Sequence, residues 1–341
     1  MEDENGTKGY GEGAPRAYVT GESLEDSLKA ATSIAEGIHE RNFETDIEIK
    51  GRLNSLGSTV LANENPAAWC ALELACLDLW AKRQNKPLWR LFAESSTNSY
   101  FTYSAVFPIL DEATFLILVD QYKKMNMKYI KAKVNETEAG IALIRRLREI
   151  YGPEADIRAD ANGAFSGREA ISFLEMAQPL SISAIEQPVP KNELDWMHEV
   201  AHLSMVPVIA DESLCTMDDA EQLINRGCCQ GFNIRLSKCG GLLKCLTLIN
   251  YARENGIFCQ IGCHVGETAI LSAAGRHLAA LCQDHVYLEG SFSKIIFNED
   301  IAEKDISFDM NGRAPLLMGP GLGITVNESF LSRWGDLYAT L

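Results

Sequence analysis

From about Asn98 onward the chain passes through eight short apolar segments, FTYSAVF, YIKAKV, ADIRAD, ISAIEQ, VPVIAD, GFNIRLS, FCQIGC and HVYLEG, with a helical pattern between each and the next. A strand followed by a helix cannot fold straight back as a hairpin. The crossover sets successive strands parallel, and eight such units predict a closed β/α barrel of the TIM type. That architecture takes about 250 residues, so a chain of 341 holds one barrel and a small second unit. We read residues 1–97 as an α+β capping domain, 98–291 as the barrel, and 292–341, which includes LLMGPGLGITV, as an irregular segment returning to the capping domain. The capping part carries an amphipathic helix around Leu24 to His39, introduced by TGES, and a long apolar helix from about Pro66 to Leu79 with proline at its start. The β/α unit is the only repeat.

Composition narrows the class of partner. A formal charge of −16 and a pI near 4.9 argue against nucleic acid or an anionic membrane surface, both of which demand a basic face. No apolar run reaches the ~18 residues of a spanning helix, and the start, MEDENGTKGYGEG, has no basic or apolar leader. The ten cysteines include no CxxC, and Cys70 and Cys76 sit inside an apolar helical run, where Cys behaves as a small hydrophobe. These features predict a cytoplasmic protein acting on a small molecule.

Chemistry concentrates at the strand ends. Asp160 in IRADAN, Glu186 in SAIEQP and Asp211 in VIADES each close a strand run, and Lys131 and Lys133 close the run before them. Acids about one strand-helix unit apart would converge at the C-terminal mouth of a parallel barrel, where three hard oxygen ligands suit Mg²⁺ or Mn²⁺ better than zinc. Taken singly, each acid reads as a turn or helix cap, and the lysines as a solvated strand edge. Asn162 reads equally as support for a metal site or as an Asx turn before Gly163. Gly9, Gly11 and Gly13 are expected in a turn rather than a phosphate loop, since no strand-to-helix context follows them. Arg276 and His277 read as packing or surface groups of a helix.

The ordered set KAK, DAN, EQP, ADES, NIRLSKCGG and GPGLGI resembles the enolase superfamily, on its mandelate racemase/muconate-lactonising side and nearest to the muconate-lactonising and dipeptide-epimerase enzymes. The likeness runs over nearly the whole chain, from GYGEGAPRAYVTGES onward. It implies a capped barrel, one Mg²⁺, and abstraction of the proton α to a substrate carboxylate. Position by position it makes Asp160, Glu186 and Asp211 the metal ligands, Lys133 the general base and Lys131 its helper. Residues two apart on a strand share a face, so Lys131 and the cation would lower the pKa of Lys133.

Two departures stand out. Arg235 occupies the sixth-strand position where resembling epimerases carry a second catalytic lysine, and arginine cannot lose its proton. It suits holding a carboxylate or enolate, which leaves His264 or Lys238 as the acid on the opposite face. Arg16, Glu267 and Glu289 are candidate substrate contacts, the two acids reading equally as helix-start caps. The chain also begins after the strands that open the capping domain in resembling enzymes, so that domain is expected to be truncated. The reading is an epimerase, racemase or cycloisomerase acting on a small carboxylate, expected to be a homo-oligomer. The alternatives are an acid dehydratase working with one base, and a non-catalytic or fragmentary relative.

Overall fold

The computed structural model describes residues 1–38 and 45–339. Eight parallel strands follow one another in chain order: β1 Ala105–Phe107, β2 Tyr129–Lys133, β3 Asp156–Asp160, β4 Ile185–Glu186, β5 Val208–Ala210, β6 Gly231–Ile234, β7 Phe258–Ile261 and β8 Tyr287–Leu288. A helix lies between each pair, from Glu112–Lys124 to Ala269–Leu281. The two ends of the sheet meet where the Ser104 amide donates to the Leu288 carbonyl at 2.9 Å, giving the expected β/α barrel. The register sets Lys133 opposite Asp160 and Asp160 opposite Glu186, with Lys131 opposite Arg158 one layer below.

One expected strand divides in two. FTYSAVF supplies β1 only from Ala105; its first part, Tyr100–Thr102, pairs antiparallel with Arg313–Pro315 in a separate ribbon. The break falls at Tyr103 and Ser104, whose amides turn to different partners, the Gly312 and Leu288 carbonyls.

The first part of the chain is mostly helical. Leu24–Glu36 starts at Ser23 in a reciprocal capping box with Asp26, while His39, its expected end, lies outside the described residues. Pro66–Arg83 is the expected apolar helix, longer by one turn. Gly9, Gly11 and Gly13 lie on an extended segment pressed along it, in place of the expected turn. A Cβ on any of the three would overlap the carbonyl oxygens of Ala75, Ala71 and Ala67 respectively. Two extended residues advance about 6.7 Å and four helical ones about 6.0 Å, so alternate glycines meet successive helical turns with no room for a side chain.

Two acids fasten this region to the barrel. Glu73 accepts the amides of Leu242 and Leu243 at the start of the helix after β6. Glu12 accepts Thr268 N–H at 2.8 Å and Leu271 N–H at 2.9 Å at the start of the helix after β7. Each carboxylate satisfies amides that a helix N-terminus leaves free and lies at the positive end of its dipole. The C-terminal segment is held in the same way. Asp78 accepts Leu322 N–H at 2.7 Å, Glu328 meets Lys8 at 2.7 Å, and the buried Arg276 and His277 bind the Ile306 and Leu322 carbonyls. Among the described residues no helix is long and apolar enough to cross a membrane.

Gly11→Ala should therefore destabilise the fold by about 2 kcal/mol or more through overpacking. Gly51→Ala, in an exposed helix interior with open space around it, should stabilise it by about 0.5–1 kcal/mol. Urea midpoints of the two variants and the wild type check both signs.

Candidate active site

The carboxyl ends of the strands carry two layers of inward-pointing polar side chains. In the lower layer Lys131 Nζ lies 2.8 Å from Glu186 Oε1, 3.0 Å from Asp160 Oδ2 and 3.1 Å from each oxygen of Glu289. Burial opposes its charge, but these three carboxylates outweigh burial and hold Lys131 protonated, above the ordinary lysine range. Arg158 joins from β3, 2.5 Å from Glu289, with its guanidinium over the Tyr287 ring. Glu289 is thus buried between two cations, Lys131 and Arg158.

The upper layer is built around Glu186. Its Oε1 accepts Lys131 and the Asn233 amide at 2.7 Å, and its Oε2 accepts the Gln260 amide at 2.8 Å. Arg235, the residue after β6, places one guanidinium nitrogen against Asp211 Oδ2 and 3.5 Å from Glu186 Oε1. Lys238 donates to Asp211 Oδ1 at 2.9 Å and to the Asp211 and Asn233 carbonyls at 2.7 and 2.8 Å. Lys238 thus has every N–H used and no exposed surface. Burial alone would raise the Asp211 pKa, yet Arg235 and Lys238 bring it down to about 2. Gln187 sets the backbone there, its Oε1 accepting the amides of Asp211 and Ser213 at 3.0 and 3.1 Å.

Lys133, at the end of β2, is only half-buried, and its Nζ donates to Asn162 Oδ1 at 2.8 Å. The Asn162 amide nitrogen donates in turn to Glu212 Oε1 at 3.0 Å. Asn162 therefore bridges Lys133 and Glu212; the Asx turn before Gly163 belongs to Asp160, whose Oδ1 accepts the Asn162 amide at 3.1 Å. Burial, reinforced by Asp211, pushes the Glu212 carboxyl up to about 7.

The opposite wall is His264, just after β7. Its Nδ1 lies 3.1 Å from the Ala14 carbonyl, which makes that nitrogen the N–H donor and leaves Nε2 a buried acceptor without a partner. Burial, then the charges of Arg235 and Arg16, push its pKa down to about 2, so the ring is neutral. Arg16 donates to the Val265 and Pro15 carbonyls, and Glu267 accepts the His264 amide at 2.6 Å. Both serve to hold the β7 loop; Glu267 does not cap the following helix, which starts from Thr268. Further anchors, Ala14 to Ser237 and Val19 to Lys191, stretch residues 14–19 along one side of the mouth.

Asp160, Glu186 and Asp211 thus come to one end of the barrel, joined through the cations they share. Among the described residues no set of three acids, histidines or cysteines is arranged as an open metal cage. The donor chemistry nonetheless fits a hard cation. The oxygens Glu212 Oε2, Asn233 Oδ1 and Gln260 Oε1 are buried without a hydrogen-bond donor, and carboxylate and amide oxygens are the ligands Mg²⁺ takes. Sequence reading missed Arg158, Gln187, Glu212, Asn233 and Gln260. A signal was present for Arg158 and Asn233, each two residues before a singled-out strand-end residue and so on the same face.

Residues 115–330 match the family described as Enolase C-terminal domain-like. The chain is 31% identical to a hydrophobic dipeptide epimerase of Enterococcus faecalis over 82% of this chain and 77% of that protein. It is 28% identical to muconate cycloisomerase 1 of Rhodococcus opacus, over 96% and 88%. Among solved structures, the dipeptide epimerase of Cytophaga hutchinsonii, complexed with Mg and the dipeptide D-Ala-L-Val, superposes with a TM-score of 0.87 at 26% identity, covering 97% of this chain and 88% of that one. With the barrel, the strand-end acids and the β2 lysine pair already in place, these likenesses make the chain a member of the mandelate racemase/muconate-lactonising branch of the enolase superfamily, and an isomerase.

Proposed function

We propose that the protein removes the proton α to the carboxylate of a small N-acylated amino acid or dipeptide, with Lys133 as the base. One observation carries this reading. Lys131 and Lys238 have all their N–H groups committed to buried acceptors, whereas Lys133 donates to one neutral partner and keeps part of its side chain open to the mouth. It is the amine there that can lose and regain a proton. Asp160, Glu186 and Asp211 would hold a divalent cation, Mg²⁺ by analogy with the solved relative, which would act as a Lewis acid toward the charge developing on the substrate carboxylate. Lys133 takes the α-proton, and the electron pair left behind moves into the carboxylate. Arg235 faces the same space with a fixed charge that can hold an oxygen but cannot deliver a proton.

Arg235 also favours chemistry on one face. The neutral His264 uses its only N–H on Ala14, so neither group is a ready acid opposite Lys133. Proton return from Lys133 itself suits cycloisomerisation or one-sided exchange better than two-base epimerisation, and the same feature would suit elimination. The ten free cysteines support the cytoplasmic assignment.

Incubation of both enantiomers of a panel of N-acyl amino acids and dipeptides in D₂O, read by mass spectrometry, tests this. One enantiomer should take up α-deuterium much faster than the other, and Lys133→Ala should slow uptake about a thousandfold. Equal uptake by both enantiomers, or full uptake in the variant, would sink the assignment.

A stability measurement addresses His264. The folded chain keeps it neutral, while the unfolded chain's imidazole protonates below about pH 6.5, so acid favours unfolding through this residue. Stability should fall as pH drops below about 6.5, and His264→Gln should remove about 2 kcal/mol of the loss between pH 7 and 5, visible in urea midpoints at the two pH values.

A further inference from the structure

We propose that Arg235 is a resident counter-ion of the cation site, so that a divalent ion binds by displacing its guanidinium. This rests on reading Asp160, Glu186 and Asp211 as cation ligands. Arg235 contacts two of the three, Asp211 and Glu186, from a position only 6% exposed, and its charge is permanent.

The charge balance points the same way. The carboxylates of Asp160, Glu186, Asp211 and Glu289 are matched one for one by the cations of Lys131, Arg158, Arg235 and Lys238 in mutual ion pairs. The cluster is neutral with Arg235 in place. A dication entering it leaves buried positive charge in excess unless one resident cation withdraws, and uncompensated buried charge is strongly unfavourable.

Arg235 is the member able to withdraw. Lys131 touches three carboxylates at once, and Lys238 is held by the Asp211 and Asn233 backbone carbonyls besides the Asp211 carboxylate. Arg158 is held by Ser104 and Glu289 and stacks over the Tyr287 ring. Arg235 reaches only carboxylates, and both of them are proposed cation ligands. Once displaced, its fork is free to pair with an arriving substrate carboxylate, which would couple cation entry to anion entry at the same mouth.

Mn²⁺ titration of the full chain, followed by electron paramagnetic resonance of the free ion, tests the competition without any assay of turnover. Arg235→Gln should bind Mn²⁺ at least tenfold tighter than the wild type. Arg235→Lys, whose single ammonium cannot fork between two carboxylates, should also bind tighter, and it carries the test alone if circular dichroism finds the glutamine variant unfolded. Glu186→Gln on either background should abolish binding. Equal or weaker Mn²⁺ binding in the folded variants would overturn the proposal while leaving the cation site intact. If neither the wild type nor the variants bind Mn²⁺, the ligand reading itself fails and the proposal with it.

Discussion

The mouth of the barrel depends on the burial of Glu186. A carboxylate removed from water costs several kcal/mol unless its lone pairs are met, and this one is met by donors from three other strands: Lys131 of β2, Asn233 with Arg235 at β6, and Gln260 of β7. Those hydrogen bonds cross the barrel and fix the spacing of its C-terminal ends. Lys131 repeats the device from the opposite sign, one ammonium serving Asp160, Glu186 and Glu289. Strands this short, two residues at β4 and β8, gain little from their own ladders, so the polar layer contributes to specifying the shape as well as the chemistry.

The same economy of charge joins the first part of the chain to the barrel. Glu12 and Glu73 reach out of the capping region to the N-termini of two barrel helices, those following β7 and β6. Arg235 and His264 lie at the ends of those same two strands. Residues 14–19 then continue across from the β7 loop to Lys191 beyond β4. The wall that faces Lys133 is therefore set by contacts made far away in sequence. Burial of His264 against Ala14 favours the neutral form of a residue whose ordinary pKa is near 6.5.

Much of this was legible in the chain. Alternation of apolar runs with helical patterns specifies parallel strands, because a helix-length crossover leaves no other pairing, and all eight runs contribute a barrel strand. Acids and lysines at strand ends can be placed at the mouth because a strand's last residue has nowhere else to be in this architecture. The position of Arg235 and its lack of a removable proton follow from residue type and motif alone.

What only the tertiary structure decided is which of these groups are free. Lys131, Lys133 and Lys238 are alike on paper; three dimensions commit the first and last to buried acceptors and leave Lys133 open. Glu289 and Glu267 read equally as substrate contacts or helix-start caps, and only the packed structure sets Arg158, Lys131 and the His264 amide against them. Gly9, Gly11 and Gly13 read as a turn until the helix carbonyls 54 to 66 residues away close over them. The reason is common to all: local sequence sets the type and direction of a side chain, while its charge state and availability depend on partners brought close only when distant strands and helices pack.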